Sequence, residues 1–275
     1  MAAAIRVLYV DDESDLLEIS KLFLERSGPF SVDTITSAPA ALTQLSSTTY
    51  DAIISDYQMP EMDGIEFLKK VRSSGNSVPF ILFTGRGREE IVIQALNEGA
   101  DSYLQKGGEP RSQFAELSHK IRQAVTRKRA EKDLRESEKR LTDIINFLPD
   151  ATFAIDREGR VIAWNRAMER MTGVKSPEIL GKGDHEYAIP FYRERRPTLI
   201  DLVLAPDEQF EKEKYLYTIR DNTLLTAEAI LERPDGTSAL LLGRACRLYN
   251  ESGDLTGAIE SIRDMTERKR TDEGV

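Results

Sequence analysis

The sequence predicts an α/β domain with a doubly wound, five-stranded parallel sheet, then a long helical connector and an α+β domain with an antiparallel sheet. Three observations lead to this fold class. Short apolar runs alternate with helical patterns up to residue 125, residues 111–148 contain no glycine or proline, and short strand patterns with tight turns follow. The length of 275 residues suits two domains of ordinary size.

A polar residue directly follows each of four predicted strands of the first domain. They are Ile5–Val10, Ala52–Ser55, Pro79–Phe83 and Ser102–Gln105, and a weaker second strand is expected at Phe30–Ile35. Parallel sheets bind ligands outside the carboxyl ends of their strands. We therefore expect one site that gathers the residues after these strands, namely Asp11, Asp12, Asp56, Thr84 and Lys106.

The charges of this site predict a divalent cation. Asp11, Asp12 and Asp56 carry three negative charges and Lys106 carries one positive charge, so the formal sum of −2 would be cancelled by one such ion. Oxygen ligands with retained waters favour Mg²⁺, with Mn²⁺ as a substitute. A carboxylate beside a cation and a lysine is also suited to accept a phosphoryl group.

Residues 5–125 resemble the receiver domain of two-component response regulators. The matching motifs are Val-Asp-Asp-Glu at 10–13, Ser-Asp-Tyr-Gln-Met-Pro-Glu-Met-Asp-Gly at 55–64, Phe-Thr-Gly at 83–85 and Tyr-Leu-Gln-Lys at 103–106. The alternative is a flavodoxin-like domain whose strand ends happen to be acidic and form no shared functional site. Four matching strand ends in the correct order favour the receiver. This domain is expected to comprise residues 1–125 of the chain.

The resemblance implies that Asp56 accepts a phosphoryl group from a histidine kinase. In that family the metal is Mg²⁺, and Asp12 would bind it directly while Asp11 would act largely through water. Asp56 itself and the backbone carbonyl of Gln58 would complete the protein ligands.

The resemblance also implies a switch. Thr84 and Lys106 would hold the phosphoryl oxygens, and Tyr103 would be the aromatic residue that moves after Thr84. The sequence departs from the family at Gly107-Gly108, because a proline usually follows the lysine. This departure concerns the shape of the loop, not the charge of Lys106.

Residues 126–148 are predicted to form a helical or coiled-coil connector. An apolar seam with one polar position follows alternating four-three spacing at Ala130, Leu134, Ser137, Leu141, Ile144 and Leu148. This pattern favours a short parallel coiled coil and hence a homodimer, whereas fewer than three heptads leave a solvated helix as the alternative. His119 faintly resembles the histidine box of histidine kinases, but its surroundings favour a surface histidine.

Residues 149–267 resemble a PAS domain, and a charged tail is expected at 268–275. The matching segments are 148–156, 161–165, the Pro-Asp-Gly-Thr hairpin at 234–237 and Asp-Met-Thr at 264–266. The expected strands are Thr152–Ile155, Arg160–Trp164, Thr223–Glu232, Ser238–Tyr249 and Leu255–Ile262. Residues 174–222 are expected to be helical and irregular.

No cofactor is expected in this second domain, and the ligand of its cavity stays open. Cys246 falls within a predicted core strand, whereas photochemical flavin chemistry requires a cysteine on a helix. His185 lies in a polar loop that is unsuited to haem. Arg193, Arg195 and Arg196 are suited to bind an anion, but a solvated face explains them equally well.

Composition narrows the class of function. The net charge of −9 argues against a nucleic-acid partner, the single cysteine Cys246 excludes an intramolecular disulfide, and no apolar run approaches the ~20 residues that span a bilayer. We therefore expect a cytoplasmic protein without membrane contact.

Two functional hypotheses remain. The first is a response regulator that signals through protein contacts and carries no catalytic module, apart from self-dephosphorylation of the receiver. The alternative is the N-terminal sensory part of a hybrid or sensor histidine kinase whose catalytic module is absent from this chain. A transcription factor ranks last, because the sequence lacks a helix-turn-helix pattern and a basic face.

Overall fold

The computed structural model describes residues 4–266, apart from 86–88, 222 and 233–235. The predicted tail at 268–275 and part of the predicted hairpin at 234–237 lie outside the described residues. The chain divides into two compact units, Met1–Glu136 and Ser137–Val275. This boundary falls within one long helix, Pro110–Phe147.

The first unit is a parallel sheet between two layers of helices, which confirms the predicted fold class. Its five strands have the order β2-β1-β3-β4-β5, and all neighbours are parallel. The strands are β1 (Ile5–Val10), β2 (Phe30–Ile35), β3 (Ala52–Ser55), β4 (Phe80–Thr84) and β5 (Ser102–Gln105). The helices are α1 (Ser14–Ser27), α2 (Ala38–Ser47), α3 (Gly64–Ser73), α4 (Glu89–Asn97) and α5 (Pro110–Phe147).

Alternate residues of each central strand enter two different cores. In β1, Val7 and Tyr9 join a cluster that also contains residues of α1 and α5. Leu8 and Val10 join a second cluster with residues of α2, α3 and α4. Because successive strand side chains point to opposite faces, a sheet covered on both sides needs an uninterrupted apolar run, which is what β1 and β3 have.

The start of α3 is built around one close approach of two backbones. The Asp63 carboxylate accepts hydrogen bonds from the N–H groups of Ile65 and Glu66 and caps the helix. Gly64 follows, and a Cβ at this position would lie 2.2 Å from the carbonyl oxygen of Asp56 and 2.9 Å from Leu82 Cδ1. Only glycine allows the helix to begin this close to the end of β3.

The second unit is a six-stranded antiparallel sheet with the order β7-β6-β11-β10-β9-β8, and small helices pack against it. The strands are β6 (Ala151–Asp156), β7 (Val161–Trp164), β8 (Tyr217–Asp221), β9 (Leu224–Glu232), β10 (Ser238–Tyr249) and β11 (Leu255–Asp264). The helices are α6 (Arg166–Thr172), α7 (Ser176–Ile179), α8 (Ile189–Tyr192), α9 (Leu199–Leu204) and α10 (Glu208–Lys214). A short 3-10 turn, Glu186–Ala188, precedes α8.

One strand of this unit contradicts the sequence prediction. Residues 174–222 were expected to be helical and irregular, but Tyr217–Asp221 form β8 and pair with β9. Strand β8 lies at the edge of the sheet, and four of its five residues are exposed. It therefore lacks the alternation of buried and exposed side chains by which strands are recognised.

Asn165 connects several elements of the second unit. Its side-chain oxygen accepts hydrogen bonds from the N–H groups of Met168 and Thr152, so it caps α6 and holds the start of β6. Its Nδ2 donates to the carbonyl oxygens of Ile145 and Asp150. Asn165 is fully buried, and all of this polar side chain is used.

The long helix α5 changes character along its length. In its first half Phe114, Leu117, Ile121 and Val125 are buried in the core with α1, as their spacing predicts. Leu134, Leu141 and Ile144 are 62%, 58% and 54% exposed. Among the described helices, none is both long and apolar enough to cross a membrane.

We predict that Gly64→Ala destabilises the first unit by about 2 kcal/mol or more, because a new methyl group would collide with backbone that cannot rotate away. Urea unfolding followed by circular dichroism measures this loss. Gly85→Ala is the matched control, because a Cβ there meets nothing within 4 Å. Equal stability of the two variants would contradict the close approach.

Candidate functional site

Three of the predicted site residues form a buried cluster of charges. Lys106 Nζ lies 2.6 Å from Asp11 Oδ2 and 2.7 Å from Asp56 Oδ1. Asp11 is 0% exposed and Asp56 is 6% exposed. One ammonium group therefore bridges two carboxylates at the carboxyl edge of the sheet.

The pairing of β1 with β3 brings the two carboxylates together. Val10 lies opposite Ser55 in the register of these strands, and the N–H of Asp56 donates to the carbonyl oxygen of Val10 at 2.9 Å. Asp11 and Asp56 come directly after these two paired residues. Their positions thus follow from strand register and not from loop geometry.

Backbone amides bind the other carboxylate oxygens. The N–H of Glu13 donates to Asp11 Oδ1 at 3.1 Å, and the N–H of Gln58 donates to Asp56 Oδ2 at 2.6 Å. Each carboxylate thus has one oxygen on Lys106 and one on a backbone N–H. These contacts fix the orientation of both side chains.

The pKa values follow from burial and pairing. Burial alone would lower the pKa of Lys106, but its hydrogen bonds with Asp11 and Asp56 and their charges raise that pKa above its ordinary value. Burial raises the pKa of Asp11, while Lys106 opposes this change. Lys106 therefore remains a cation at neutral pH.

Thr84 and Tyr103 lie next to this cluster in the sheet. Thr84 is buried at the end of β4, and its carbonyl oxygen accepts a hydrogen bond of 2.8 Å from the N–H of Lys106. Tyr103 on β5 packs against the core that contains α2, α3 and α4. Burial raises the pKa of Tyr103, and its hydroxyl has no hydrogen-bond partner among the described residues.

Asp12 and Gln58 do not join the charged cluster with their side chains. Both are exposed, and only the backbone N–H of Gln58 contacts Asp56. In the described part of the chain, no group of three or more His, Cys, Asp or Glu side chains is arranged to hold a metal ion. The predicted magnesium ligands therefore stay a prediction.

The chemistry of the donors nevertheless suits magnesium. Asp11 and Asp56 offer carboxylate oxygens, and Asp12 follows at the exposed rim. Lys106 already pairs with both Asp11 and Asp56, so an ion that binds these oxygens has to compete with its ammonium group. Binding of a cation here would thus be coupled to the release of at least one carboxylate by Lys106.

Comparisons with known proteins identify both units. The family model of the response regulator receiver domain matches residues 7–118, and the model of the PAS fold matches residues 139–265. The chain therefore contains a response regulator receiver domain at 7–118, followed by a PAS domain at 139–265. This confirms the family that the sequence motifs indicated.

Curated relatives agree with this family. Response regulator Rre1 of Synechocystis is 35% identical over 146 residues, which are 52% of this chain and 62% of that protein. Response regulator SaeR of Staphylococcus aureus is 36% identical over 121 residues, 44% of this chain and 50% of SaeR. The chain thus spans between half and two thirds of the length of these relatives.

Solved receiver domains are also similar to part of the chain. A response regulator receiver domain from Clostridium thermocellum is 30% identical, with a TM-score of 0.42, and the match covers 46% of this chain and 98% of that one. A CheY-like receiver domain protein from Methanospirillum hungatei is 27% identical, with a TM-score of 0.41, over 46% of this chain and 99% of that one.

The loop after Lys106 explains the departure from the family motif. Gly107 has a φ of 142° and Gly108 a φ of 92°, which proline cannot adopt. The side-chain Nε2 of Gln113 donates to the carbonyl oxygens of Gln105 and Gly107 at 3.2 Å each and ties the loop to α5. The receiver thus positions Lys106 with a loop whose backbone conformation favours glycine.

Sequence reasoning missed Tyr9. This residue is fully buried in β1, two positions before Asp11, and its ring lies 6.4 Å from that of Phe83. Burial and the nearby charges of Asp11 and Asp56 raise the pKa of Tyr9. An aromatic residue inside an apolar strand gives no signal that separates a neighbour of the site from ordinary core.

The cofactor candidates of the PAS domain are engaged elsewhere or turned outward. His185 Nε2 lies 3.5 Å from Asp201 Oδ1. Cys246 lies on β10 as predicted, but it is partly exposed and not buried, because Ala245 takes the inward position of that strand. A single shift of phase along a strand reverses which side chain faces the core.

The three arginines of the PAS domain do not form one shared anion site. Arg195 pairs with Asp184 at 2.9 Å and with Glu186. Arg196 stacks on the ring of Tyr192, with 3.5 Å between its guanidinium carbon and the ring centroid. Arg193 is exposed.

We predict that Lys106→Met lowers the free energy of unfolding by about 3 kcal/mol at pH 8, because two buried carboxylates lose their cation. Without Lys106 nothing opposes the effect of burial on Asp11, so the pKa of Asp11 rises further and the deficit relative to the wild type shrinks as pH falls from 8 to 5. Urea unfolding with a chelator present measures both values.

Lys69→Met is the matched control for this prediction. Lys69 pairs with Glu98 at 3.0 Å, but their side chains are 48% and 37% exposed. Such a surface pair contributes less than about 1 kcal/mol. If Lys106→Met were no more harmful than this control, the bridged carboxylates would not be a stabilising cluster.

Proposed function

We propose that this response regulator accepts a phosphoryl group on Asp56 from a histidine kinase, with Mg²⁺ as cofactor, and signals through protein contacts of its PAS domain. The observation that carries the proposal is the bridge from Lys106 Nζ to Asp11 and Asp56. It provides a reactive carboxylate, a cation for the developing charge and a second carboxylate.

Asp56 suits the role of acceptor better than Asp11. Asp56 is 6% exposed, whereas Asp11 is 0% exposed, so only Asp56 offers a path to an incoming donor. In the proposed transfer an oxygen of Asp56 bonds to phosphorus while the bond from phosphorus to the imidazole nitrogen of the kinase breaks. The imidazole leaves with the electron pair of that bond.

The surrounding groups match the charge that this transfer adds. Lys106 remains protonated and can follow the new phosphoryl oxygens, and the N–H of Gln58 already points at Asp56. Thr84 is expected to bind a further phosphoryl oxygen. Bound Mg²⁺, held by Asp11, Asp12, Asp56 and the carbonyl of Gln58, would neutralise the remaining negative charge.

The conformational switch is proposed to involve Thr84 and Tyr103. Lys106 is linked through its N–H to Thr84, so a movement of Thr84 towards the phosphoryl group also affects the end of β5. Tyr103 lies on that strand, three residues before Lys106. Its buried hydroxyl without a partner among the described residues marks a side chain that gains hydrogen bonds when it moves.

The seam of α5 is proposed as a parallel homodimer contact. Leu134, Leu141 and Ile144 are each more than half exposed and recur at heptad spacing. A second copy of the same helix presents the same seam in the same register, so a parallel pair would bury all members at once. The conformation of the PAS domains would then depend on the state of Asp56.

The sensor-kinase alternative is not favoured, since the curated relatives are named response regulators. His119, its candidate phosphorylation site, is exposed within α5. We propose a phosphoacceptor without a catalytic output module and without a nucleic-acid partner. The cytoplasmic location stays a prediction.

We predict that a small phosphodonor such as acetyl phosphate, together with Mg²⁺, labels the protein on Asp56. Asp56→Asn should abolish the label, and Asp12→Ala should remove most labelling together with its dependence on Mg²⁺. Intact mass and peptide mapping measure both effects. Asp33→Asn, which changes a partly exposed aspartate of the same domain, is the control, and labelling that persists in Asp56→Asn would contradict the assignment.

We predict that Leu134→Asp combined with Leu141→Asp converts the dimer to a monomer, because two charges would enter the paired seam. Analytical ultracentrifugation measures the mass. Lys132→Asp with Lys139→Asp is the matched control, with the same spacing on the same helix but off the seam. A wild type that is already monomeric would refute the coiled coil.

The role of α5 in signalling has a separate test. An insertion of four residues after Lys132 rotates the downstream seam by about 40° relative to the receiver. We expect the insertion to alter every property of the dimer that depends on phosphorylation. If these properties were unchanged, α5 would be only a tether.

A further inference from the structure

A buried carboxylate lies in a cavity of the PAS domain that the receiver chemistry does not use. Glu260 on β11 is 5% exposed. It lines a cavity of about 30 Å³ between the inner face of the sheet and the helices. Aromatic rings form much of the wall, contributed by Phe153, Tyr187, Phe191, Tyr192 and Tyr215.

Glu260 is the one charged group among the described residues that line this cavity. Arg196, a candidate cation, is stacked on the ring of Tyr192, which lines the cavity, but Arg196 itself does not belong to the lining. Glu260 Oε2 accepts a hydrogen bond of 3.0 Å from the N–H of Ile200 near the start of α9. One neutral donor does not compensate the burial of a full negative charge, so an ionised Glu260 needs a cation.

Gly243 allows the other oxygen of Glu260 to lie close to the backbone of β10. A Cβ at Gly243 would lie 3.2 Å from Glu260 Oε1 and 2.9 Å from Leu199 Cδ2. Gly243 occupies an inward position in the middle of the 12-residue strand β10, opposite Ala227 on β9. Glycine weakens a strand interior, and it occurs there where another group approaches closely.

We propose that this cavity binds a small monovalent cation of the ammonium class, either free ammonium or the amine group of a very small primary amine, at Glu260 Oε1. An ammonium group can donate a hydrogen bond to the carboxylate and lie against aromatic rings, which attract cations. A cavity of about 30 Å³ holds one or two water-sized molecules. Larger amines do not fit, and a divalent metal would need more carboxylate oxygens than the lining offers.

A proton competes with this ligand. Burial raises the pKa of Glu260 to about 8, which the N–H of Ile200 opposes and the charge of Asp201 increases. The other charged or titratable groups nearby are Tyr187, Tyr192, Tyr215 and Arg196. The proton neutralises folded Glu260 below pH 8. Because burial raises this pKa from 4.5 to about 8, the stabilisation that the proton gives the folded state is complete below pH 4.5 and is lost as pH rises to 8. Affinity for the cation should therefore rise about tenfold per pH unit up to pH 8 and then level off.

Thermal unfolding of the unphosphorylated full chain tests the proposal. The chain contains one tryptophan, Trp164, which is buried in the PAS core, so its fluorescence reports on this domain. At pH 8, ammonium and methylammonium chloride should raise the midpoint by about 3 °C or more, with a smaller rise at pH 6.5. Sodium, potassium and tetramethylammonium chloride at equal ionic strength should not raise it.

Two variants and one control locate the effect. Glu260→Gln keeps an acceptor for the N–H of Ile200 but removes the charge, and Gly243→Ala places a methyl group 3.2 Å from Oε1. Both variants should lose the ammonium response. Glu228→Gln, on the adjacent strand β9, leaves the cavity lining unchanged and should keep it. A response that survives in Glu260→Gln, or that potassium reproduces, would overturn the assignment.

Calorimetric titration of the wild type keeps the test independent of variants that fail to fold. Saturable heat with ammonium chloride at pH 8 supports the site, and its absence means that the cavity holds only water or a proton. No step involves Asp56, so a negative result leaves the proposed phosphoacceptor function intact.

Discussion

The Lys106 ammonium group, which bridges two buried carboxylates, is the interaction on which the receiver domain depends. Asp11 and Asp56 lie at the ends of the central strands β1 and β3, while Lys106 follows the edge strand β5. The lysine therefore reaches across β4, and its Nζ lies 5.9 Å from the centroid of the Phe83 ring on that strand. The strand register, the sheet order and the short loop after β5 must all form correctly before Lys106 can pair with the two buried carboxylates. A phosphoryl group or metal ion bound at this site, as proposed, would therefore redistribute the contacts of Lys106.

The PAS domain deals with a buried carboxylate in a different way. Glu260 has a backbone N–H but no cationic side chain in its cavity lining. Burial raises the pKa of both Asp11 and Glu260, yet only Asp11 has a lysine that opposes the shift. A carboxylate whose cationic partner is a side chain of the same domain has a structural or catalytic role. One without such a partner responds to protons and to small cations from solution.

The sequence predicts those features that follow from the spacing of apolar residues and from the order of the strands along the chain. Uninterrupted apolar runs identify the parallel strands, and the residues after them identify Asp11, Asp56 and Lys106. What it cannot supply is the rotation of a side chain about its own strand end, which leaves Asp12 exposed beside Asp11. It also fails where burial is weak, as for the edge strand at 217–221, and where a shift of phase by one residue turns Cys246 outward.

The phase of α5 bears on how two copies can pair. With 3.6 residues per turn, the buried stripe at Phe114, Leu117 and Ile121 and the seam at Leu134 and Leu141 lie on roughly opposite faces of the helix. The seam is thus no continuation of the stripe that packs into the receiver core, and its large side chains stay exposed after that core is complete. A second copy can therefore bind the seam without displacing any packing contact of the receiver. The helix thus has one face packed into the receiver core and a separate apolar face that is exposed, which is compatible with the proposed phosphorylation-dependent dimer.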